Sequence, residues 1–371
     1  MSSNPRLRYQ IAFASIRGMN LTLGRELLRM VGSEREFFAL SEMRLRYLTQ
    51  SKARIYSDEY RQRVLEEAAA EELFIEANRI TPVYFTDQAY PRRLLECEDA
   101  PLLLYTCGGL DLNERRMVGI VGTRHATPYG LEFTRTLINE LAEKVGNVAI
   151  VSGLAYGVDI AAHRAALAAG LPTVGVMATG MQSIYPSDHR ADAQRMASEG
   201  GLIVTEYGHL TPVHKGNFVA RNRIIAGLCD CVVVVESAEK GGALITANLA
   251  MGYNRDVYAL PGRVGDIYSA GCNRLIAGST AMLIRNAEDL CHAQHWPMRT
   301  SHQEGDEPQL PIELNSDESQ IVDFLGENPN ATLAQLTAAT GFRVSKLMSL
   351  LIDMEFRGLV LALPGGRYQK V

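Results

Sequence analysis

Nowhere in the 371 residues does an apolar run approach the roughly 18 residues a membrane span requires. The opening segment MSSNPRLRYQIAF also lacks the apolar stretch of a secretory signal. A cytoplasmic protein with no membrane partner is expected. Cys97, Cys107, Cys229, Cys231, Cys272 and Cys291 form no CxxC and no Cys/His cluster at zinc spacing, so neither a disulfide framework nor a metal site is indicated. An excess of positive charge is missing too: 37 basic against 42 acidic side chains leave a net charge of −5, which argues against a generally basic nucleic-acid binder. Neither G-x-G-x-x-G nor G-x-x-x-x-G-K-[ST] occurs after the first strand of the glycine-rich region, which disfavours dinucleotide and Walker-type binding. No cofactor is expected.

What is present is a chain long enough for two or three domains at about 150 residues each, with 47% apolar and 21% charged residues, ordinary globular proportions. The charge is unevenly spread. Residues 1–106 carry 15 basic and 15 acidic side chains, 107–286 carry 16 and 15, and 287–371 carry 6 and 12. An anion site must therefore be local, and the acidic tail is a poor place for it.

From Met117 onward, short β-branched runs alternate with helix-like stretches. The runs are MVGIV, VAIV, TVGVM, LIVT, CVVVVE, DVYAL and AMLI, and this spacing reads as βαβ units around a parallel sheet buried on both faces. The fold class is α/β, doubly wound. Before it, residues 1–75 have a helical pattern whose IRGMNLTLGRELL segment reads as a helix pair, and residues 76–116 read as an extended connector. After it, the polar, proline-bearing stretch 292–315 has the composition of a linker. The expected domains are thus 1–75, 76–291 and 316–371. In the last, Asn315 with Glu318 and Thr332 with Gln335 have capping-box spacing, and three helices followed by a hairpin around a Pro-Gly-Gly turn read as a winged helix.

In an open parallel sheet the ligand crevice lies outside the carboxyl ends of the strands, so the loops there should share one edge. The first, GIVGTRHATPYG, opens a helix and carries Arg124, whose guanidinium fork suits a phosphate, or which is simply a surface arginine after a turn. The second offers Ser152, Gly153 and Gly157, with Asp159 as helix cap and His163 in the helix, where a lone histidine is ordinarily packed or exposed rather than catalytic. The segment HKGNFVARNRIIAGL places Lys215, Arg221 and Arg223 around Phe218. Cations interleaved with an aromatic suit a single nucleic-acid strand, the alternative being a solvated helix start whose Phe218 plugs the core. In ESAEKGGALITANLA, Lys240, Gly241, Gly242 and Thr246 suggest a second phosphate nest, while Glu236 reads as structural or ribose-binding. PGRVG and GCNRLIAGS read as packing.

Taken in order, YPRRLLECEDAPLLLYTCGGL, VGIVGTRHATPYG, VSGLAYGVDIAAH, SIYPSDH, TEYG, FVARNRIIAGL, VVVVESAEKGGALITANLA, VYALPG and AGCNRLI resemble the DNA-processing protein A family (DprA, also called Smf) over about 210 residues. The resemblance implies an extended Rossmann-like domain, with a helical N-terminal domain (SAM or helix-hairpin-helix-like) and a C-terminal winged helix as accessories. It also implies single-stranded-DNA binding in natural transformation, help in loading the RecA recombinase, a homodimer formed through the Rossmann-like domain, and no catalytic activity. The family's DNA-contacting motifs fall on Gly122, Thr123 and Arg124, on Lys215 and Phe218, and on Arg221, Asn222 and Arg223. Val219 stands where the family usually has proline and Gly241 where it usually has serine. The rival reading is an enzyme of the phosphoribohydrolase (LOG-like) type on a similar fold, whose catalytic glutamate has no counterpart after EKGG here.

Overall fold

The computed structural model describes residues 6–299, 314–357, 359–363 and 366–370, in two compact units, 1–300 and 301–371. The first is built on a nine-stranded sheet: β1 (Thr81–Tyr84), β2 (Leu103–Gly108), β3 (Arg116–Val121), β4 (Val148–Gly153), β5 (Thr173–Val176), β6 (Leu202–Thr205), β7 (Cys231–Val234), β8 (Asp256–Ala259) and β9 (Met282–Leu283). Their order is β1-β2-β6-β5-β4-β3-β7-β8-β9. β3 through β9 pair in parallel, and they are the seven β-branched runs of the sequence. The winding reverses between β3 and β7, which puts a crevice at the carboxyl ends of those two strands.

Alternation along β3 shows why such strands read as continuous apolar runs. Val118 and Ile120 face one core, with Leu137, Ile138 and Leu141 of the Pro128–Lys144 helix; Met117 and Val121 face the other, with Ile224, Ile225 and Leu228 of the Lys215–Leu228 helix. Each such side chain removed from water contributes about 1.5–3 kcal/mol.

Three expectations need correction. Residues 76–116 are not a connector: β2 pairs antiparallel with β6, and β1 pairs antiparallel with β2. Pro82 is tolerated in β1 because that strand is the sheet edge. The described part of the N-terminal region, residues 6–75, is helical, but it forms no separate compact unit. Ile11, Phe13, Leu21, Phe37, Leu45, Val64 and Ile75 belong to the same core as Leu102, Leu104 and Val204. The expected linker 292–315 also starts too early, since Trp296 and Met298 pack on the sheet domain and the Arg116 guanidinium lies 5.2 Å from the Trp296 ring centre. Its central part, 300–313, is outside the described residues.

In the second unit both capping boxes form, at Asn315/Glu318 and Thr332/Gln335. Helices Ser316–Glu327, Leu333–Thr340 and Val344–Phe356 bury Ile321, Leu325, Leu336, Leu347, Leu351 and Met354. Strands β10 (Ala331–Thr332), β11 (Val360–Leu363) and β12 (Arg367–Lys370) complete a winged helix in the order β10-β12-β11. Pro364 and Gly365 of its turn lie outside the described residues.

Candidate nucleic-acid interface

At the switch point, four loops and the first turns of the Lys215–Leu228 helix enclose a cavity of about 430 Å3. Of the thirteen side chains and glycines proposed from sequence, eight line it: Gly122, Thr123, Arg124, Phe218, Arg221, Asn222, Gly241 and Thr246. Thr123 is fixed by backbone bonds to its neighbours, its N–H donating to the Glu236 carbonyl (2.8 Å) and its carbonyl accepting from Val158 N–H (3.2 Å). This leaves the exposed Arg124 at the mouth.

The Arg124 guanidinium stands 5.8 Å from the centre of the Phe218 ring, a cation–π arrangement. Phe218 itself is half-buried and lies outside the hydrophobic cores. Its ring meets Tyr185 edge-on, with centres 5.4 Å apart. Lys215 lies one turn earlier on the same helix, on the same side as Phe218, and Lys240 immediately precedes Gly241; both are exposed. Among the described residues no carboxylate pairs with Arg124, Lys215 or Lys240. A Cβ on Gly241 would lie 2.2 Å from Ser237 Oγ, so the serine usual in the family would force that hydroxyl to move.

The other two arginines are placed differently: Arg221 lines the cavity but is buried, and Arg223 does not line it. Arg221 is 5% exposed and its Nη1 donates to the Val176 carbonyl at 2.6 Å. It lies across Gly153 so closely that a Cβ there would sit 1.9 Å from Nη1, so only glycine leaves room. Arg223 is tied to Glu206 at 2.6 Å, with Asp99 4.0 Å away. Burial pulls its pKa down, but Glu206, with Asp99 and Tyr207, more than offsets this. Below Arg221, burial pushes the Asp159 carboxyl up to about 6, against the pull of the Arg221 charge. Asp159 is not the helix cap, a position held by Gly157; it lies in the cavity floor.

Ser152 and Gly153 stand behind the cavity and do not face into it. Ser152 is fully buried, with its hydroxyl donating to the Ile120 carbonyl at 2.5 Å. His163 is packed: Nε2 donates to the Gly153 carbonyl (2.9 Å), Nδ1 pairs with the Thr173 hydroxyl (2.7 Å), and burial pushes its pKa down to about 4. Glu236, at φ +81°, takes the structural role: its carboxylate accepts from the Thr127 N–H (2.8 Å) and hydroxyl (2.5 Å), securing the start of the Pro128–Lys144 helix. Sequence reasoning missed Tyr185 and Asp159 as cavity neighbours. The first had a signal, a tyrosine inside the otherwise unassigned SIYPSDH.

Among the described residues no three His, Cys, Asp or Glu side chains gather as metal ligands, and no helix is long and apolar enough to cross a membrane.

Fold and site define a class: a doubly wound α/β protein whose switch-point crevice presents unpaired cations beside an aromatic ring, on a chain that also carries a winged helix. Comparison with known proteins narrows it. The DNA recombination-mediator protein A family matches residues 81–295, and the DprA winged helix domain matches 305–366. Protein Smf of Synechocystis sp. is 35% identical over 316 residues, covering 76% of this chain and 78% of its own. DNA processing protein DprA of Streptococcus pneumoniae is 41% identical over 204 residues, 55% of this chain and 71% of its own. The crystal structure of DprA from Streptococcus pneumoniae superposes with a TM-score of 0.64 at 31% identity, covering 77% of this chain and 97% of that one. DprA from Helicobacter pylori, whose structure describes its single-stranded DNA binding mode, superposes with a TM-score of 0.52 at 32% identity over 58% of this chain and 95% of that one. The chain belongs to the DprA/Smf family of DNA processing proteins.

Proposed function

We propose that the switch-point cavity binds single-stranded DNA. In this reading Arg124, Lys215 and Lys240 contact phosphates and Phe218 offers a ring face or edge to a base, with Gly122, Thr123, Asn222, Gly241 and Thr246 shaping the wall. The carrying observation is the unpaired Arg124 beside a half-buried Phe218 in a chain of net negative charge. Cations track a strand without sequence preference, and every base has a π-face for the aromatic. The relative from Helicobacter pylori supports the ligand class. Within this proposal the protein acts in the cytoplasm during natural transformation, protects incoming strands, helps load RecA and works as a homodimer through its Rossmann-like domain. The short outer strand β9, whose Met282 and Leu283 are 43% and 45% exposed, is an available edge for such pairing.

The enzyme reading is weaker. Among the described residues the one carboxylate lining the cavity is Asp159, which lies beneath Arg221, and the turn after Gly242 offers Ala243, Leu244, Ile245 and Thr246 in place of an acid. Fluorescence anisotropy with labelled oligo-dT, an equal-length duplex and AMP as competitor separates the two. Tight binding of oligo-dT that neither duplex nor AMP displaces is expected. Displacement by AMP at comparable concentration would favour a nucleotide site.

A further inference from the structure

Beside the cavity just described lies a larger one, about 950 Å3, that no part of the proposed function uses. It is formed by the loop after β8, PGRVGDIYS, facing Thr127, Tyr129 and Glu236. From sequence this loop reads as packing. In the structure it is held at both ends and open between. Gly262 exchanges two bonds with the Asn273 side chain (3.1 and 3.0 Å), the Tyr129 hydroxyl donates to the Pro261 carbonyl (2.9 Å), and Ser237 N–H donates to the Tyr268 carbonyl (2.6 Å). A turn from Arg263 to Asp266 (3.2 Å) shapes the tip.

Tyr268 lines both cavities. Its ring lies near parallel to His125, with centres 6.2 Å apart and planes 27° apart, and His125 adjoins Arg124. One half-buried aromatic thus forms the partition between two cavities on one sheet edge. On the far side stands Arg263, exposed, its guanidinium without a hydrogen-bond or carboxylate partner among the described residues. Tyr129, 53% exposed, adds a second ring to the wall. A cavity with one unpaired guanidinium and two rings repeats the composition of the first, where Arg124 accompanies Phe218. Asp266 is the one exposed carboxylate in the lining, and it opposes an anion.

We propose that the strand continues from the first cavity across Tyr268 into the second, so that Tyr268 stacks a further base and Arg263 takes a further phosphate. This rests on the single-stranded-DNA reading above and extends it from one nucleotide pocket to two adjoining ones. The ligand of the second cavity is the neighbouring nucleotide of the same strand, not a separate molecule.

The test is oligo-dT anisotropy across a salt series with the full chain and its variants Arg263→Ala, Tyr268→Ala, Tyr268→Phe and Asp266→Asn, beside Arg124→Ala. Arg263→Ala should make the log–log salt slope shallower by about 0.7, the share of one phosphate on a single strand. Tyr268→Ala should weaken binding roughly tenfold or more, Tyr268→Phe should keep it, and Asp266→Asn should tighten it. Arg263 and Asp266 are exposed, so their variants report on binding even where Tyr268→Ala lowers the melting temperature. Wild-type affinity and slope for Arg263→Ala, with Arg124→Ala impaired, would overturn the second pocket and leave the first standing. Absence of oligo-dT binding by the unaltered protein would overturn both.

Discussion

The rim and the floor of the switch-point cavity carry similar residues in opposite states. At the rim, Arg124, Lys215 and Lys240 face solvent with no carboxylate partner among the described residues. At the floor, Arg221 is buried and donates from Nη1 to the Val176 carbonyl, and on the same helix but outside the lining Arg223 pairs with Glu206. An arginine buried and bonded within the fold holds the protein together; an exposed one can exchange water for a phosphate oxygen. Of the three cations in HKGNFVARNR, Lys215 is exposed, while Arg221 and Arg223 are bonded within the fold.

The largest effect should come from breaking the pair between Arg223 and Glu206. Arg223→Ala leaves Glu206 only 15% exposed and without its partner, and truncating one member of a buried pair costs about 3–5 kcal/mol. Urea denaturation should show that loss, while the salt slope of DNA binding by the folded variant stays that of the wild type. A normal melting curve with a shallower slope would move Arg223 to the rim.

Asp159 gives the floor a pH signature. Its carboxyl titrates at about 6 in the folded chain, above the ordinary value near 3.9, so the folded state holds the proton more tightly than the unfolded one. This contribution is fully present below about pH 4 and is lost as the pH rises through about 6, a change of about 3 kcal/mol. Asp159→Asn should therefore gain on the wild type between pH 4 and 7 in denaturation midpoints. Parallel pH profiles for the two proteins would contradict the buried, raised carboxyl.

How much of this was readable in advance follows from periodicity. The seven parallel strands stood out because strands buried on both faces are unbroken β-branched runs. β1 and β2 did not, since the prolines around LLLYTCG suit an antiparallel edge as well as a connector. Arg221 was in fact legible. It stands three, four and seven residues before Ile224, Ile225 and Leu228, on the stripe that faces the core. Its charge drew attention away from its register. Glu206 and Asp99 as partners of Arg223 were beyond reach, because they come from elements 17 and more than a hundred residues away that only the fold brings together.

Phe218 lies on the same stripe one turn earlier, past the end of the packed region, and there the comparison is sharpened at the rim. Stacking of one base is worth about 1–3 kcal/mol, so Phe218→Ala should weaken oligo-dT binding roughly 5- to 150-fold. A fully buried Phe→Ala would instead cost about 3–5 kcal/mol of stability. A large fall in melting temperature with affinity intact would return Phe218 to the floor. Arg124→Ala should act more gently, making the log–log salt slope shallower by about 0.7 from a value near −2 for three rim cations. An unchanged slope would remove Arg124 from the phosphate track.

The smallest effect is expected from removing the winged helix. Winged helices that read DNA ordinarily present a basic recognition helix, whereas the Val344–Phe356 helix carries Lys346 as its one cation, preceded by Arg343, against Asp353 and Glu355. Lys346 is already engaged, 2.5 Å from Asp317 and over the Phe342 ring at 4.4 Å. Arg357, just beyond the helix, bonds Glu318 at 2.7 Å and approaches Asp353 at 3.4 Å. These are floor-like arginines and lysines in the sense used above, their charge matched within the unit, and they release few counterions on meeting a strand. The unit has its own core, from Ile321 to Val360, so its loss should not unfold the residues before it. A chain ending at Asn315 should then bind oligo-dT within tenfold of the full chain and with the same salt slope. A greater loss, with the melting temperature of the remaining part unchanged, would mean that paired cations of the winged helix open to DNA and that pairing state does not separate binding from structural charge.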